Sequence, residues 1–475
     1  MYPSRVKFTR RAVLKGIAAL AVAPWCRPAR AEPLTLTAGV GRQQLVPPEY
    51  PDTEIWGFNG AVPGPELRFR QGQTARIVVA NRLPQATTVH WHGLRVPNRM
   101  DGVPHLTQEP IAPGADFVYE FALPDAGTYW YHPHERSHEQ VARGLYGVLI
   151  VEEREPIRVD REITWVLSDW KLNRDASQRE DFESLFDISH GGRVGNTVTI
   201  NGRFTLKDGT LALRSGERIR LRLVNAAVAR NYLLNFSGHE PRVIALDGQP
   251  VEPHVPDRAL LYLAPGMRAD IVLDCLMPPG SSVAVTDEYN PNSPIPLMTL
   301  AYRADRPLRD APFDAPVALA PNPLAEPDLA RAERLSVVFE GGAMGALREA
   351  TLNGKRLPLR TLAREHGVAW AINGIAAKGH VHEPLFTLTR GGHYVMDLRN
   401  ETGWPHPIHL HGHAFRVISR HGEPTRHREW RDTVQLEARE RAEIAFVADN
   451  PGDWMFHCHV LAHQAGGMSA MLRVM

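Results

Sequence analysis

The string HCHVLAHQAGGM at residues 457–468 constrains this chain more than any other stretch. It sets Cys458 between His457 and His459, adds His463 and closes on Met468. A cysteine and a methionine with two imidazoles make the donor inventory of a blue-copper site, the thioether serving as the weak axial ligand. The flanking His457 and His459 are left over for a second metal. Cys458 then lies covalently between two metal centres, an arrangement suited to passing electrons from one to the other.

Three other strings share the pattern: HWH at 90–92, HPH at 132–134 and HPIHLH at 406–411. Side chains of an extended strand alternate between faces. His90 and His92 therefore share a face, as do His132 and His134, His409 and His411, and His457 and His459. Cys458 points the other way, and so does His406, an odd three residues before His409. Parity thus sorts the ligands into an eight-histidine cluster and a separate mononuclear set of His406, Cys458 and His463 with Met468. A single His-x-His pair is usually a surface or packed pair; four, one of them interrupted by cysteine, are not explained that way. Zinc also takes Cys and His. It has no use for a cysteine shared across two sites or for a distant thioether, so copper is the expected metal.

The length of 475 residues suits roughly three domains. Residues 1–31 read as a targeting leader to be set aside from the fold. Arg10-Arg11 precedes a short apolar run from Ile17 to Ala23, and Ala29-Arg30-Ala31 follows. Adjacent arginines suggest twin-arginine export of a folded protein, with cleavage after Ala31 and a periplasmic destination. An ordinary secretory signal is the alternative, and the apolar run is too short to span a bilayer. The leader holds seven Lys/Arg and no acid, which leaves 47 basic against 53 acidic residues. That net charge of −6, without basic blocks, argues against a nucleic-acid partner. Cys26 goes with the leader, and Pro24-Trp25 before it is no lipobox. Cys275, in the run IVLDC, is expected to be a buried free thiol, so no disulfide holds the protein together.

Internal repeats organise the remainder. Asn59-Gly60, Asn201-Gly202 and Asn373-Gly374 each open a similar segment with a glycine turn (Gly72, Gly216, Gly391) and a strand ending at Asn81, Asn225 or Asn400. Short alternating strands such as ARIVVAN and RIRLRLVN, punctuated by 38 Gly and 39 Pro, indicate antiparallel β-sandwiches. The boundaries expected are 32–153, 154–305 and 335–475, with a Pro-rich extended linker over 306–334.

The repeats also show where metal sites are kept. GTYWYHPH at 127–134 aligns with GDWMFHCH at 452–459, so Pro133 takes the place of Cys458, and Thr87 falls opposite His406. The first domain supplies cluster histidines but no mononuclear site. In the middle domain Asn235 and Ser237 stand where His409 and His411 stand, which predicts a domain without copper. The cluster must lie between the first and third domains. His413 has His239 as its counterpart there and is read as scaffold. The remaining histidines, among them His105, His138, His190, His254, His380, His382 and His427, lack a partner pattern and are read as surface or supporting residues.

These motifs closely resemble those of the three-domain multicopper oxidases, the family of laccases, bilirubin oxidases and copper-efflux oxidases. The resemblance covers essentially the whole chain after the leader, and all four copper motifs are complete. It implies an all-β fold of three consecutive cupredoxin-like Greek-key sandwiches holding four coppers. Type 1 copper would be bound by His406, Cys458, His463 and Met468, type 2 by His90 and His409, and the type 3 pair by His92, His132, His134, His411, His457 and His459. A small reducing substrate (phenol, aromatic amine or metal ion) would give single electrons to type 1 copper, through a partly exposed edge of His463 or His406. Electrons would cross Cys458 to His457 and His459, and O2 would be reduced to water at the trinuclear cluster.

Asp101, in NRMDG, looks like the family's acid beside that cluster; a plain Asp-Gly turn is the alternative. Where many bacterial relatives carry Glu after the last type 1 histidine, this chain has Gln464, which leaves the proton path open. Asp432, in EWRDTV, is a candidate outer partner of a ligand histidine or else a strand-edge charge. The loop before His406 is Thr402-Gly403-Trp404-Pro405, without a thioether, and the 11 Met are scattered. That weakens a dedicated cuprous-ion site, and Trp404 becomes a candidate wall for an aromatic donor or a packing residue. The sequence thus admits a laccase-like oxidase, a periplasmic metallo-oxidase for Cu(I) or another metal ion, or a non-catalytic exported copper-binding or envelope/cell-division protein.

Overall fold

The computed structural model describes residues 34–204, 209–311, 313–379 and 383–475. The leader with Arg10, Arg11 and Cys26 lies outside the described residues, as do His380 and His382.

Three β-sandwiches follow one another. The first pairs a sheet in the order Thr53–Phe58, Leu34–Gln43, Thr74–Asn81, Asp116–Ala122 with a sheet in the order Gly64–Arg70, Gly147–Glu152, Gly127–His132, His90–His92. The middle sandwich has sheets of seven and five strands, and the third has sheets of seven and five with a separate hairpin, Glu349–Leu352 and Lys355–Pro358. Each unit opens with the same device, a first strand lying parallel to a later one. These pairs are Leu34–Gln43 with Thr74–Asn81, Arg161–Trp170 with Glu217–Asn225, and Glu333–Gly341 with His393–Asn400.

The repeated Asn-Gly turns explain why the register recurs. Asn59, Asn201 and Asn373 have φ of 55°, 51° and 50°, followed by positive-φ glycines, a conformation that Asn and Gly tolerate best. Each Asn carboxamide clamps the first strand of its unit from the side. Its oxygen accepts from Thr37, Val166 or Val338 N–H, and its NH2 donates to the carbonyl of Thr35, Thr164 or Ser336. The strand-ending Asn81, Asn225 and Asn400 are buried and likewise tie down the loop that follows.

Between Ile295–Tyr302 and Glu333–Gly341 the described residues form no helix or strand, and this stretch is strapped to the body. Arg218 donates to the carbonyls of Phe313 and Ala315, Arg309 grips Asp160 through both terminal guanidinium nitrogens, and Asn322 exchanges two hydrogen bonds with Ala126. Among the described residues no helix is long and apolar enough to cross a membrane. Cys275 and Cys458 are both free and buried, and burial pushes the Cys275 thiol up to about 12.

Candidate metal centres

Strand pairing brings the histidine motifs together. His90 stands opposite His132 in the first sandwich, and His409 stands opposite His457 in the third, with Ile408 opposite Cys458. Only HWH lies wholly within a strand. The other strands end at His132, Leu410 and Cys458, so His134, His411 and His459 sit just beyond them. Pro133, which has no N–H to give to a ladder, accounts for one of these endings. The faces nonetheless sort as parity predicts.

The eight cluster histidines meet in one buried nest. His90 stacks on His411 and His92 on His409, each at 3.8 Å between ring centres. Potential ligand atoms lie within 4.8 Å of one another in His92, His132 and His459, and again in His134, His411 and His457, and His90 and His409 join His92 in a further group. Many inward nitrogens have no hydrogen-bond partner among the described residues: His90 Nε2, His92 Nδ1, His132 Nε2, His134 Nε2, His409 Nε2 and both nitrogens of His459. Buried nitrogens without hydrogen bonds are costly unless something else satisfies them, and metal ions fit that need. Burial keeps six of these imidazoles neutral: His457 is pushed down to about 3, and His92, His132, His134, His411 and His459 fall well below the ordinary histidine range. Neutral imidazole is the form that ligates.

On the opposite face of the same strand lies the second group. Cys458 Sγ is 3.5 Å from His406 Nδ1 and 3.7 Å from His463 Nδ1, and those nitrogens are 3.1 Å apart. Met468 is fully buried beside them; its N–H donates to the His463 carbonyl and its carbonyl accepts from Cys458 N–H. Trp370 packs both rings, at 4.9 Å from His406 and 4.4 Å from His463. Burial pushes the Cys458 thiol far above its ordinary value, so a bound cation must expel that proton to obtain a thiolate.

Comparison with known proteins gives the same reading. Three multicopper oxidase family models match residues 39–156, 161–302 and 355–475. A multicopper oxidase of Mycobacterium tuberculosis is 30% identical over 87% of this chain and 82% of its own length. The chain belongs to the multicopper oxidase family. The solved multi-copper oxidase of Pseudomonas thermotolerans is 37% identical, with a TM-score of 0.81 over 94% of this chain and 99% of that one. A solved laccase-like multi-copper oxidase from a lignin-degrading Ochrobactrum species is 26% identical, with a TM-score of 0.76 over 94% and 98%. As a multicopper oxidase the chain is an oxidoreductase that uses O2 and a reducing substrate, and its metal is copper.

In this multicopper oxidase two buried carboxylates orient the cluster rings. Asp101 Oδ2 accepts from His411 Nδ1 at 2.8 Å, and its backbone carbonyl lies 2.9 Å from His90 Nδ1. It does sit before a turn glycine, Gly102 at φ 80°, so Asp101 is both a turn residue and a partner of a cluster ring. Asp432 is no strand-edge charge. Its Oδ1 lies 3.1 Å from His92 Nε2, its carbonyl accepts from His409 Nδ1 at 2.8 Å, and Arg268 of the middle sandwich grips it at 2.9 and 2.6 Å. Burial alone would raise the Asp432 carboxyl, but Arg268 and the bond from His409 hold it well below the carboxylate range. Gln464 receives the Ser137 hydroxyl and lies 3.5 Å from His134 Nδ1. His413, as expected of scaffold, bonds to the His411 carbonyl and packs edge-on against Trp454.

One expectation is overturned. His463 and His406 expose no edge; both are 0% exposed. His463 Nε2 donates to the carbonyl of His190 at 2.6 Å, and His406 Nε2 faces the Thr402 hydroxyl at 2.8 Å. The cover is a segment of the middle sandwich, helix Leu185–Ser189 and the loop to Gly192. Trp404 is half-buried, its indole N–H donating to the Ala343 carbonyl. Sequence reasoning also missed Met344, which is 71% exposed and reaches Gly403 from a distant loop.

Proposed function

We propose that this chain is a laccase-like oxidase binding four coppers. His406, Cys458, His463 and Met468 would hold the type 1 ion, His90 and His409 the type 2 ion, and the remaining six histidines the type 3 pair. The observation that supports this reading is the convergence of all eight cluster histidines in overlapping triads, among them His92/His132/His459 and His134/His411/His457. Copper supplies one-electron oxidation of the donor at one site and four-electron reduction of O2 to water at the other. Cys458 joins the two sets covalently, with His457 and His459 as its chain neighbours. Asp101 holds His411 Nδ1–H in place and is the acid available to exchange protons beside the cluster. Gln464 lacks an ionisable group and serves to position His134 from the helix Ser137–Gln140 side.

An organic donor is favoured by Trp404 beside the type 1 loop, and the Ochrobactrum relative is described as acting on lignin model compounds. Met344, a thioether brought onto that loop by the fold, favours Cu(I) as the second reading. Export by the twin-arginine route to the periplasm belongs to the same proposal, and unchanged export of the Arg10→Lys/Arg11→Lys protein would refute it.

The test is oxygen uptake by copper-loaded protein with 2,6-dimethoxyphenol and Cu(I) offered separately, with Cys458→Ser as control. Uptake with the phenol, abolished together with the blue colour in the control, is the expected result. Uptake with Cu(I) alone would make it a metallo-oxidase, and uptake with neither would return the chain to copper binding without turnover.

A further inference from the structure

The cover over His463 changes where a donor can meet this protein. Three backbone carbonyls of the middle sandwich close the mononuclear site. Ile188 O accepts from Trp370 Nε1, Ser189 O accepts from Ala343 N–H, and His190 O accepts from His463 Nε2. A side chain at Gly192 would strike Val460, and one at Gly191 would press on the Trp404 ring, so the cover is fitted closely. No donor can touch His463. The route outward from its Nε2–H is a single hydrogen bond into the His190 peptide. The His190 ring lies stacked on Phe186 at 4.2 Å and 19°, and edge-on to Trp404 at 5.5 Å. Phe186 is 68% exposed, an unusual expense for a helix residue that has one face already stacked.

We infer that Phe186 and His190 form the electron-entry port of this oxidase, with Trp404 at its rim, and that the port takes planar aromatic donors. This rests on the laccase-like reading above. A phenol stacks offset on the open face of Phe186, the arrangement that aromatic rings prefer. It loses one electron inward through the His190 peptide and its hydrogen bond to His463, and its hydroxyl proton leaves to water at the open rim. Four phenols become four phenoxyl radicals, and their four electrons with four protons turn one O2 into two waters. Specificity then resides in the middle sandwich, which contributes none of the proposed copper ligands.

The experiment compares the copper-loaded parent with Phe186→Ala, Phe186→Trp and His190→Ala, using 2,6-dimethoxyphenol and hexacyanoferrate(II) as donors. Binding of 1,3-dimethoxybenzene, which keeps the ring without the phenolic O–H, is followed by saturation-transfer NMR. Phe186→Ala should raise KM for the phenol about three- to tenfold and weaken dimethoxybenzene binding to a similar extent. His190→Ala keeps the carbonyl, so it should leave the blue absorption in place while lowering kcat/KM for the phenol. Phe186→Trp should keep parental values, and every variant should keep the parent's copper content and blue absorption. Phenol kinetics and dimethoxybenzene binding unchanged in both alanine variants would overturn the port and leave the exposed ring for a protein partner. A parent that oxidises hexacyanoferrate but not the phenol would instead overturn the laccase-like reading, and the port's ligand class with it.

Discussion

The eight-histidine cluster and the mononuclear site lie on opposite faces of one strand, yet they are held by opposite means. The cluster is fixed by buried charge: Asp101 and Asp432 orient its rings, and Arg268 reaches in from the middle sandwich to neutralise Asp432. Among the described residues the mononuclear site has no carboxylate as a hydrogen-bond partner. It sits in the apolar core of the third sandwich, and hydroxyl and carbonyl groups satisfy its outer nitrogens. A cluster spanning two domains needs long-range, directional forces to set eight rings at once. A site whose proposed ligands all come from one domain can rely on close packing under a main-chain cover, which leaves its polarity low.

Arg268→Met tests this contrast most severely. It leaves Asp432 buried without its cation, which should cost about 3–5 kcal/mol. The expected outcome is a clear fall in Tm and in copper retained by the cluster, with the blue absorption of the remaining folded protein unchanged. Equal loss of both sites would show that the two means of support are not separate. Asp432→Asn keeps the shape but weakens the hold on His92 and His409. Chelator titration should show cluster copper bound about 10–100-fold more weakly, again with the mononuclear spectrum intact.

A third seam, between the first and middle sandwiches, is ionic without any metal and gives a reference. Burial would raise Glu162, but Arg222, then Arg220 and Arg68, hold it down to about 2. Its folded value lies below its unfolded one, so its contribution is present above the ordinary glutamate value and fades as pH falls towards 2. Glu162→Gln should therefore cost about 2 kcal/mol near neutral pH after allowance for solvent screening. The difference from the parent should shrink steadily in melts below pH 4.5, and a constant difference would discard the assignment. The smallest effect belongs to Thr402→Val, which removes the hydroxyl facing His406 Nε2. It should lower stability by about 1 kcal/mol and shift the visible spectrum while cluster copper stays bound.

Much of the site was legible because it is written locally. Alternation fixes faces, and the Asn-Gly turns recur at matching places, so ligand sorting and a three-sandwich fold follow from short strings. What escaped depends on contacts between distant segments. Arg218, Arg220 and Arg222 alternate with Ile219, Leu221 and Leu223 in RIRLRLVN and look like a solvent face, yet all three are buried against Asp274, Asp270, Glu153 and Glu162. Arg268 carried a usable signal, a lone cation opening the apolar strand RADIVLDC, since a buried charge demands a partner. The cover over His463 carried none. Its decisive atoms are backbone carbonyls, which every residue has.

That last feature has a bearing on how such proteins diversify. A lid fastened through main-chain atoms does not depend on which side chains it displays, so its outward residues can drift while the fastening persists. Selection could retune Phe186 and its neighbours for new reductants without disturbing a single proposed ligand, much as an interchangeable tool head fits a fixed handle. Libraries confined to the exposed Leu185 and Phe186 would sample that freedom directly, leaving the buried Asp187 and its ion pair with Lys171 to hold the lid.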